Sequence, residues 1–168
     1  RSTLEDLWHR HIMDSVQLFS CVRPNYRLWL DIGSGGGFPG IVIAILAAGL
    51  APQLRIALVE SDKRKSVFLS EAVRQLELSA TIYPLRIDEL APQGADVVSA
   101  RALAPLTTLC GLSVRHLRDD GVCAFLKGAN ADTEIIEARK DWRFDLDRTA
   151  SITDSRASAL FLRGLRHV

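Results

Sequence analysis

Five glycines in eight residues, at positions 33–40, separate two apolar segments and constrain this chain more than any other feature. The first apolar segment ends at Asp31 and Ile32, and the second covers residues 41–46. Glycine adopts positive φ angles without a steric penalty, and Pro39 suits the first turn of a helix. The pattern predicts a strand, a tight turn and a helix. The free N–H groups of such a turn face the carboxyl edge of a sheet, so a nucleotide-type site is expected there.

Two nucleotide cofactors fit the residues around this turn. Residues 35–40 match the dinucleotide pattern G-x-G-x-x-G, and Glu60, about 20 residues beyond, stands where a ribose-binding acid is expected. Asp31 would repel the pyrophosphate of NAD(P) but attract the cationic methionine end of S-adenosylmethionine. A Walker A loop is excluded, because Ile41 and Val42 replace its Lys and Ser/Thr. The pattern favours S-adenosylmethionine. The alternatives are an NAD(P)-binding oxidoreductase and a plain turn that binds nothing.

Composition and charge restrict the class of protein. The 168 residues suffice for one domain, and 48% hydrophobic and 24% charged residues are typical of a globular chain. The net charge of +1 neither requires nor excludes a nucleic-acid partner. Cys21, Cys110 and Cys123 are scattered, so we expect no disulfide, no metal site and a reducing, cytoplasmic location. The sequence has no signal peptide and no 18-residue apolar segment, so no membrane partner is expected.

Apolar periodicity predicts an α/β fold with one domain over residues 1–168 and an N-terminal helix at about 3–20. Further helices are expected at about 39–48, 62–78, 105–116 and 131–140, and strands at 27–32, 54–60, 80–85, 95–100, 121–126, 143–150 and 159–166. Such alternation predicts a parallel sheet with helices on both faces. No helix separates the last two strands, so they should form an antiparallel hairpin at one edge. A seven-stranded, mostly parallel sheet with this hairpin is the Rossmann-like plan of class I S-adenosylmethionine-dependent methyltransferases.

Three short segments carry a more specific resemblance: His11-Ile12-Met13-Asp14-Ser15, the glycine loop and Ser99-Ala100-Arg101-Ala102. The segment from Glu60-Ser61 to Lys65 and Leu126-Lys127-Gly128 add to it. Together they resemble the bacterial ribosomal RNA small-subunit methyltransferase G family, also called glucose-inhibited division protein B. The resemblance extends from about Leu7 to the C-terminus. The family has an N-terminal helical segment upstream of H-I-x-D-S, and most of that segment is expected to be missing here.

The resemblance implies transfer of a methyl group from S-adenosylmethionine to N7 of a guanine in small-subunit (16S) ribosomal RNA, with S-adenosylhomocysteine as product. The implied partner is 16S ribosomal RNA or the small ribosomal subunit, and we expect a monomer. The resemblance also assigns cofactor contacts to Gly33, Phe38, Ile87, Asp88 and Arg101. A glutamate is common in the family where Asp88 stands, so the reach of this side chain to the adenine is expected to differ slightly.

The residues themselves predict further contacts at the strand ends. Arg101 and Lys127 end two strands at the edge where open α/β sheets bind ligands, so they are the catalytic candidates, with the role of positioning the substrate. For Arg101 the alternative is a surface salt bridge, and for Asp31 it is a charge partner of a helix N-terminus. The cofactor-binding candidates from the loop and the first two strand ends are Asp31, Gly35, Gly37 and Glu60.

His11, Asp14 and Ser15 fall on a predicted helix, with His11 and Asp14 on one face. A hydrolase triad is rejected, because Ser15 lies mid-helix without the sharp turn that exposes a nucleophile. These residues either brace the helix against the domain or contact substrate or cofactor. Guanine N7 carries a lone pair and no proton, so its methylation requires alignment of the reactants and no general base. A non-enzymatic RNA-binding module and a small-molecule methyltransferase are the remaining alternatives.

Overall fold

The computed structural model describes the backbone of residues 8–168 and the side chains from His11 onward. A π-helical turn at Trp8–Met13 leads into α1 (Asp14–Leu18) and a 3-10 turn at Phe19–Cys21. The other helices are α2 (Gly40–Leu50), α3 (Lys63–Gln75), α4 (Leu106–Val114) and α5 (Ala131–Asp141). The strands are β1 (Leu28–Ile32), β2 (Arg55–Val59), β3 (Ala80–Tyr83), β4 (Ala95–Arg101), β5 (Leu117–Lys127), β6 (Trp142–Ala150) and β7 (Ser158–His167).

The seven strands form one sheet in the order β3-β2-β1-β4-β5-β7-β6. Strands β1 to β5 pair in parallel, and β7 pairs antiparallel with both β5 and β6. The predicted mostly parallel sheet with a C-terminal antiparallel hairpin is therefore confirmed. Strand order reverses between β1 and β4, and open α/β sheets bind ligands beyond the carboxyl ends of the strands at such a point.

Helices cover both faces of the sheet, as expected. Leu18 of α1, Ile43 of α2 and Leu69 of α3 are wholly buried in the core on one face. Leu109 of α4 and Ala138 of α5 are buried in the core on the other face. The central strands lie between two apolar layers, which explains why they are nearly continuous runs of apolar residues. In the part of the chain that the structure describes, no helix is long and apolar enough to cross a membrane.

Most element boundaries differ from the sequence prediction by three residues or fewer, and two elements differ in a way that matters. The helix predicted at about 3–20 has a mixed backbone, because residues 8–21 change from π-helical to α-helical to 3-10 turns; residues 1–7 lie outside the described part. Strand β5 starts at Leu117, four residues before the predicted start at 121, because Leu117 pairs with Ala95 across a register shift. The sequence did not predict this extension, because the charged residues 118–120 interrupt the apolar pattern of the strand.

A buried carboxylate joins the amino ends of three strands. Oδ2 of Asp96 accepts hydrogen bonds from the backbone N–H groups of Arg27 (2.6 Å) and Leu28 (2.8 Å). Its Oδ1 lies 2.5 Å from Nη1 of Arg118 at the start of β5. Asp96 thus fixes the start of β1 beside β4 and β5, and this alignment sets where their carboxyl ends meet.

Replacing this carboxylate should destabilise the fold. We expect Asp96→Ala to lower the free energy of unfolding by about 3 kcal/mol, because it leaves two backbone donors without an acceptor and removes the buried one of the two carboxylates that pair with Arg118. Urea denaturation followed by circular dichroism measures the change. The control Asp120→Ala removes an exposed partner of the same Arg118 and should cost less than about 0.5 kcal/mol. Equal losses in the two variants would contradict the proposed role of Asp96.

Candidate active site

The carboxyl ends of β1, β2, β4 and β5 meet at one edge of the sheet, where two cavities flank the loop that follows β4. The smaller cavity, of about 140 Å³, lies between Gly33 and the segment 85–88, with Leu103 in its wall. The larger, of about 450 Å³, is lined by Arg101 and Ala102, among others. Residues 102–105 therefore separate the two candidate binding spaces.

The glycine loop adopts backbone angles and contacts that require glycine. Gly33, Gly35 and Gly37 have φ angles of 65°, 54° and 92°. A Cβ atom at Gly33 would lie 2.6 Å from Cδ1 of Leu103, and one at Gly37 would lie 2.7 Å from Cγ1 of Ile41. The loop is therefore a shallow cradle beside the smaller cavity, in which the backbone approaches its neighbours more closely than any side chain permits.

Asp31 lies beneath this loop and not in the open space above it. The side chain is wholly buried, and its Oδ1 accepts a hydrogen bond from Oγ of Ser99 (2.6 Å), which itself accepts one from Nε1 of Trp29 (2.8 Å). A Cβ atom at Gly40, the first residue of α2, would lie 2.7 Å from Oδ2. Burial raises the pKa of Asp31 to about 6. These contacts fit the helix-partner alternative for Asp31, and its contact with a cofactor stays a prediction.

Glu60 fastens the glycine loop to the start of α3. Its Oε2 accepts a hydrogen bond from N–H of Gly35, and its Oε1 accepts one from N–H of Asp62, both at 2.8 Å. An ionised carboxylate has about four acceptor sites, so capacity remains for a ribose hydroxyl. The ribose contact remains a prediction, and the backbone contacts add a structural role that the sequence analysis did not include.

The candidate adenine-binding segment lines the smaller cavity. Ile87 is half-buried against the core, and the exposed carboxylate of Asp88 accepts a hydrogen bond from Nε of Arg86 (3.0 Å). This hydrogen bond lowers the pKa of Asp88, so the group is a charged acceptor at neutral pH. Nη1 of Arg115 donates to the backbone oxygen of Asp88 (3.0 Å) and holds the segment in place.

Arg101 ends β4 and lies in the wall of the larger cavity. The side chain is half-buried, and its Nη1 is buried without a hydrogen bond to any residue that the structure describes. Burial lowers the pKa of this guanidinium, and the negative charge of Asp14 acts in the opposite direction. The surface salt bridge that was the alternative role for Arg101 is not formed with any described residue. A buried cationic donor without a partner at the edge of a cavity is suited to a ligand that carries an acceptor.

Lys127 is held by the protein itself. Its Nζ donates to the backbone oxygen of Ala104 (2.9 Å) and lies 2.6 Å from Oε2 of Glu134, which also accepts from N–H of Leu106 (2.7 Å). The ammonium group therefore fastens the loop that follows Arg101. A substrate contact through Lys127 stays a prediction, and its observed contacts are those of a support for this loop.

The residues of the H-I-x-D-S segment make bracing contacts, and their contact with substrate or cofactor stays a prediction. Oγ of the wholly buried Ser15 donates to the backbone oxygen of His11 (2.5 Å), so Ser15 braces the helix. The ring of His11 stacks on that of Phe38 with 5.2 Å between centroids, which packs the N-terminal segment against the glycine loop. A contact between Phe38 and the cofactor stays a prediction.

Asp14 joins the N-terminal helix to the connection between β6 and β7. Its Oδ1 accepts hydrogen bonds from Oγ of Ser151 (2.7 Å) and from Oγ1 of Thr153 (2.9 Å). The same side chain lines the larger cavity together with Arg101. Asp14 thus braces the helix and also places negative charge at the cavity. Within the described residues, no group of three or more side chains is arranged to hold a metal ion.

Comparison with known proteins identifies the family. A family model described as rRNA small subunit methyltransferase G matches residues 1–161. A protein of Cereibacter sphaeroides named Ribosomal RNA small subunit methyltransferase G is 50% identical over 168 residues, which are 100% of this chain and 82% of that protein. The chain belongs to the rRNA small subunit methyltransferase G family. This membership confirms the resemblance and decides against the NAD(P)-dependent alternative.

Solved structures confirm the fold of this methyltransferase G family member. An S-adenosylmethionine-dependent methyltransferase from Aquifex aeolicus has a TM-score of 0.72 at 11% identity, with 96% of this chain and 95% of that chain covered. Mitomycin 7-O-methyltransferase has a TM-score of 0.73 at 14% identity, with 96% and 55% covered. Because one fold serves such different substrates, the substrate must be selected by the residues of the site.

Several residues of the site were not assigned roles from the sequence. Ser99 had a detectable signal, because it lies two residues before Arg101 at the end of the predicted strand, and alternation places the two side chains on the same face. Glu134, Ser151 and Thr153 act across elements that are distant in sequence, and no local pattern distinguishes them from other polar surface residues. Leu103 had no signal, because its contact with Gly33 depends on the path of the loop after β4.

The buried carboxylate of Asp31 predicts a pH-dependent stability. Its pKa rises from 3.8 to about 6 on folding, so the folded protein binds the proton more tightly. The stability this group contributes is complete below about pH 4 and is lost as the pH rises to about 6. We expect the melting temperature of the wild type, relative to Asp31→Asn, to fall by roughly 5 °C between pH 4 and pH 6.5 and to change little above that.

Scanning calorimetry at a series of pH values measures this difference. The control Ser70→Ala removes an exposed hydroxyl and no charge, so its difference from the wild type should not vary with pH. A constant difference between wild type and Asp31→Asn over the same range would show that the carboxylate does not titrate with a raised pKa.

Proposed function

We propose that this chain transfers a methyl group from S-adenosylmethionine to N7 of a guanine in small-subunit (16S) ribosomal RNA. Membership of the methyltransferase G family supports the reaction and the class of RNA. The single observation that carries the site assignment is the half-buried guanidinium of Arg101, which has no hydrogen bond to any described residue and lies in the larger cavity at the carboxyl edge of the sheet. A base with an exposed oxygen acceptor is the kind of ligand that satisfies it.

The glycine loop and the smaller cavity fit S-adenosylmethionine. Gly33 and the charged acceptor Asp88 both line this cavity, and a Cβ atom at Gly36 would meet no protein atom within 4 Å, so a ligand can approach the loop backbone there. We assign the methionine part to the loop at Gly33, Gly35 and Gly37, and the adenosine part to Glu60, Ile87 and Asp88. When bound, S-adenosylmethionine supplies a methyl group on a positively charged sulfur. Phe38 and Asp31 would support the loop from its two sides.

The protein's own contribution is alignment. Guanine N7 needs no deprotonation, so the chain has to hold the base with N7 free and exclude water from its approach. Arg101 can donate to O6 of the base, since arginine is a natural partner of guanine oxygens. The ring gains positive charge on methylation, and the negative charge of Asp14 in the same cavity favours that change. Lys127 would keep the loop after Arg101 in position.

We further propose that the protein acts as a monomer in the cytoplasm, on 16S ribosomal RNA alone or within the small subunit. The RNA substrate implied by the family supports the location.

Transfer of label from S-adenosylmethionine tests the function directly. Naked 16S ribosomal RNA, small-subunit particles and a panel of small molecules are offered in parallel, and the modified base is mapped. We expect label on one guanine of the RNA in at least one of its two forms. Label on small molecules alone, or binding of RNA without label transfer from a chain that includes the family's N-terminal segment, would contradict the proposal. Calorimetric titration should show binding of S-adenosylhomocysteine and none of NAD.

Removing Arg101 should slow methyl transfer without unfolding the protein. We expect Arg101→Ala to reduce the single-turnover rate about 100-fold, because one charge-assisted contact with the reacting base is lost. Its melting temperature should stay near that of the wild type, since no described residue depends on this side chain for a hydrogen bond. Arg55→Ala, an exposed arginine at the amino end of β2, is the matched control and should keep the full rate. An unchanged rate in Arg101→Ala would remove this residue from the mechanism.

A further inference from the structure

The larger cavity contains two groups of opposite charge that do not bind each other. Asp14 from α1 and Arg101 from β4 both line it, yet their charged atoms lie farther apart than the 4.0 Å of an ion pair. Most of the other charged side chains in its wall are paired, such as Lys127 with Glu134. The cavity volume of about 450 Å³ falls within the range of small-ligand sites, roughly 300–1,000 Å³.

The orientation of the Asp14 carboxylate is determined by its neighbours. Oγ of Ser151 accepts hydrogen bonds from N–H of Thr153 and N–H of Asp154, both at 3.1 Å. Its own proton is therefore directed at Oδ1 of Asp14 (2.7 Å), which also accepts from Oγ1 of Thr153 (2.9 Å). Oδ2 of Asp14 accepts no hydrogen bond from the described part of the chain, although the residue is only 9% exposed.

Among the described residues, the cavity thus presents an acceptor without a partner, Oδ2 of Asp14, and a donor without a partner, Nη1 of Arg101. Nη1 of Arg101 is a buried donor without a partner among the described residues, and such groups are rare because each costs free energy. The Watson–Crick edge of guanine carries an acceptor, O6, followed by two donors, N1–H and the 2-amino group. Adenine presents an acceptor at N1 and would meet the carboxylate with like polarity. Guanine therefore satisfies both groups, and N7, on another edge of the base, stays free.

We propose that Asp14 is a specificity-determining residue that accepts hydrogen bonds from N1–H and the 2-amino group of the target guanine, while Arg101 donates to O6. This inference rests on the proposed function, since it concerns the base that the same site methylates. Enzymes that act on a base removed from its stack read it through such contacts to its Watson–Crick edge.

The fixed orientation of Asp14 makes the variant Asp14→Asn informative. The hydroxyl protons of Ser151 and Thr153 need an acceptor, so the amide oxygen takes the place of Oδ1 and the amide NH₂ takes the place of Oδ2. A donor then faces the two donors of guanine. Removing the 2-amino group from the base should lower kcat/KM of the wild type, which loses a hydrogen bond. It should favour the variant, because one of the two donors that face its amide NH₂ is gone.

The experiment uses small-subunit particles reconstituted with ribosomal RNA that carries either guanosine or inosine at the mapped target position. Inosine keeps N7, O6 and N1–H and lacks only the 2-amino group. We expect the wild type to prefer guanosine by about 10-fold to 100-fold in kcat/KM, as a good base contact permits. We expect Asp14→Asn to bring this ratio within about threefold of one. The ratio is measured on one protein sample, so it does not depend on the folded fraction.

The control Asp132→Asn makes the same chemical change at an exposed carboxylate outside the cavity and should keep the wild-type ratio. If Asp14→Asn has no measurable activity, the same ratio is measured for Thr153→Val, which removes one of the two donors that orient Asp14. A ratio lowered at least threefold supports the proposal, and an unchanged ratio contradicts it. Equal use of guanosine and inosine by the wild type also overturns it. Failure of the wild type to methylate guanosine would instead overturn the proposed function.

Discussion

A buried chain of hydrogen bonds, from the Trp29 indole to the Ser99 hydroxyl and on to the Asp31 carboxylate, holds the two central strands together below the site. All three residues are wholly buried, and Asp31 and Ser99 are direct neighbours in the pairing of β1 with β4. The glycine loop leaves β1 one residue after Ile32, and Arg101 ends β4 two residues after Ser99. This one contact therefore sets the distance between the loop and the side chain proposed to hold the base.

The loop after β4 depends on a second polar cluster. Lys127 and Glu134 bind Ala104 and Leu106, so the two ends of strands β4 and β5 and the starts of α4 and α5 are joined at one point. Because this loop separates the two cavities, its position determines both the space beside Gly33 and the wall that carries Arg101. A polar cluster with all its members paired is suited to holding such a boundary in a single arrangement.

Local patterns predicted the elements of the fold well, since strands and helices follow from short-range periodicity. The polar segment between β6 and β7, without a helix, was enough to predict the antiparallel hairpin. The early start of β5 was missed, because it depends on the pairing of Leu117 with Ala95 and not on its own charged sequence. The irregular turns at residues 8–21 were missed because apolar spacing of three and four does not distinguish π-helical, α-helical and 3-10 backbone.

The sequence by itself determined the family, the sheet and the edge at which Asp31, Glu60 and Arg101 gather, because the ends of parallel strands meet there whatever the loops do. Only the tertiary structure decided which of these side chains are already bound by other residues of the protein and which are available to a ligand. Asp31 is bound by Ser99, 68 residues away in sequence, and Asp14 is oriented by Ser151, 137 residues away. Such contacts leave no local trace in the chain, because a hydrogen bond depends on atoms a few ångströms apart in space and not on spacing in sequence.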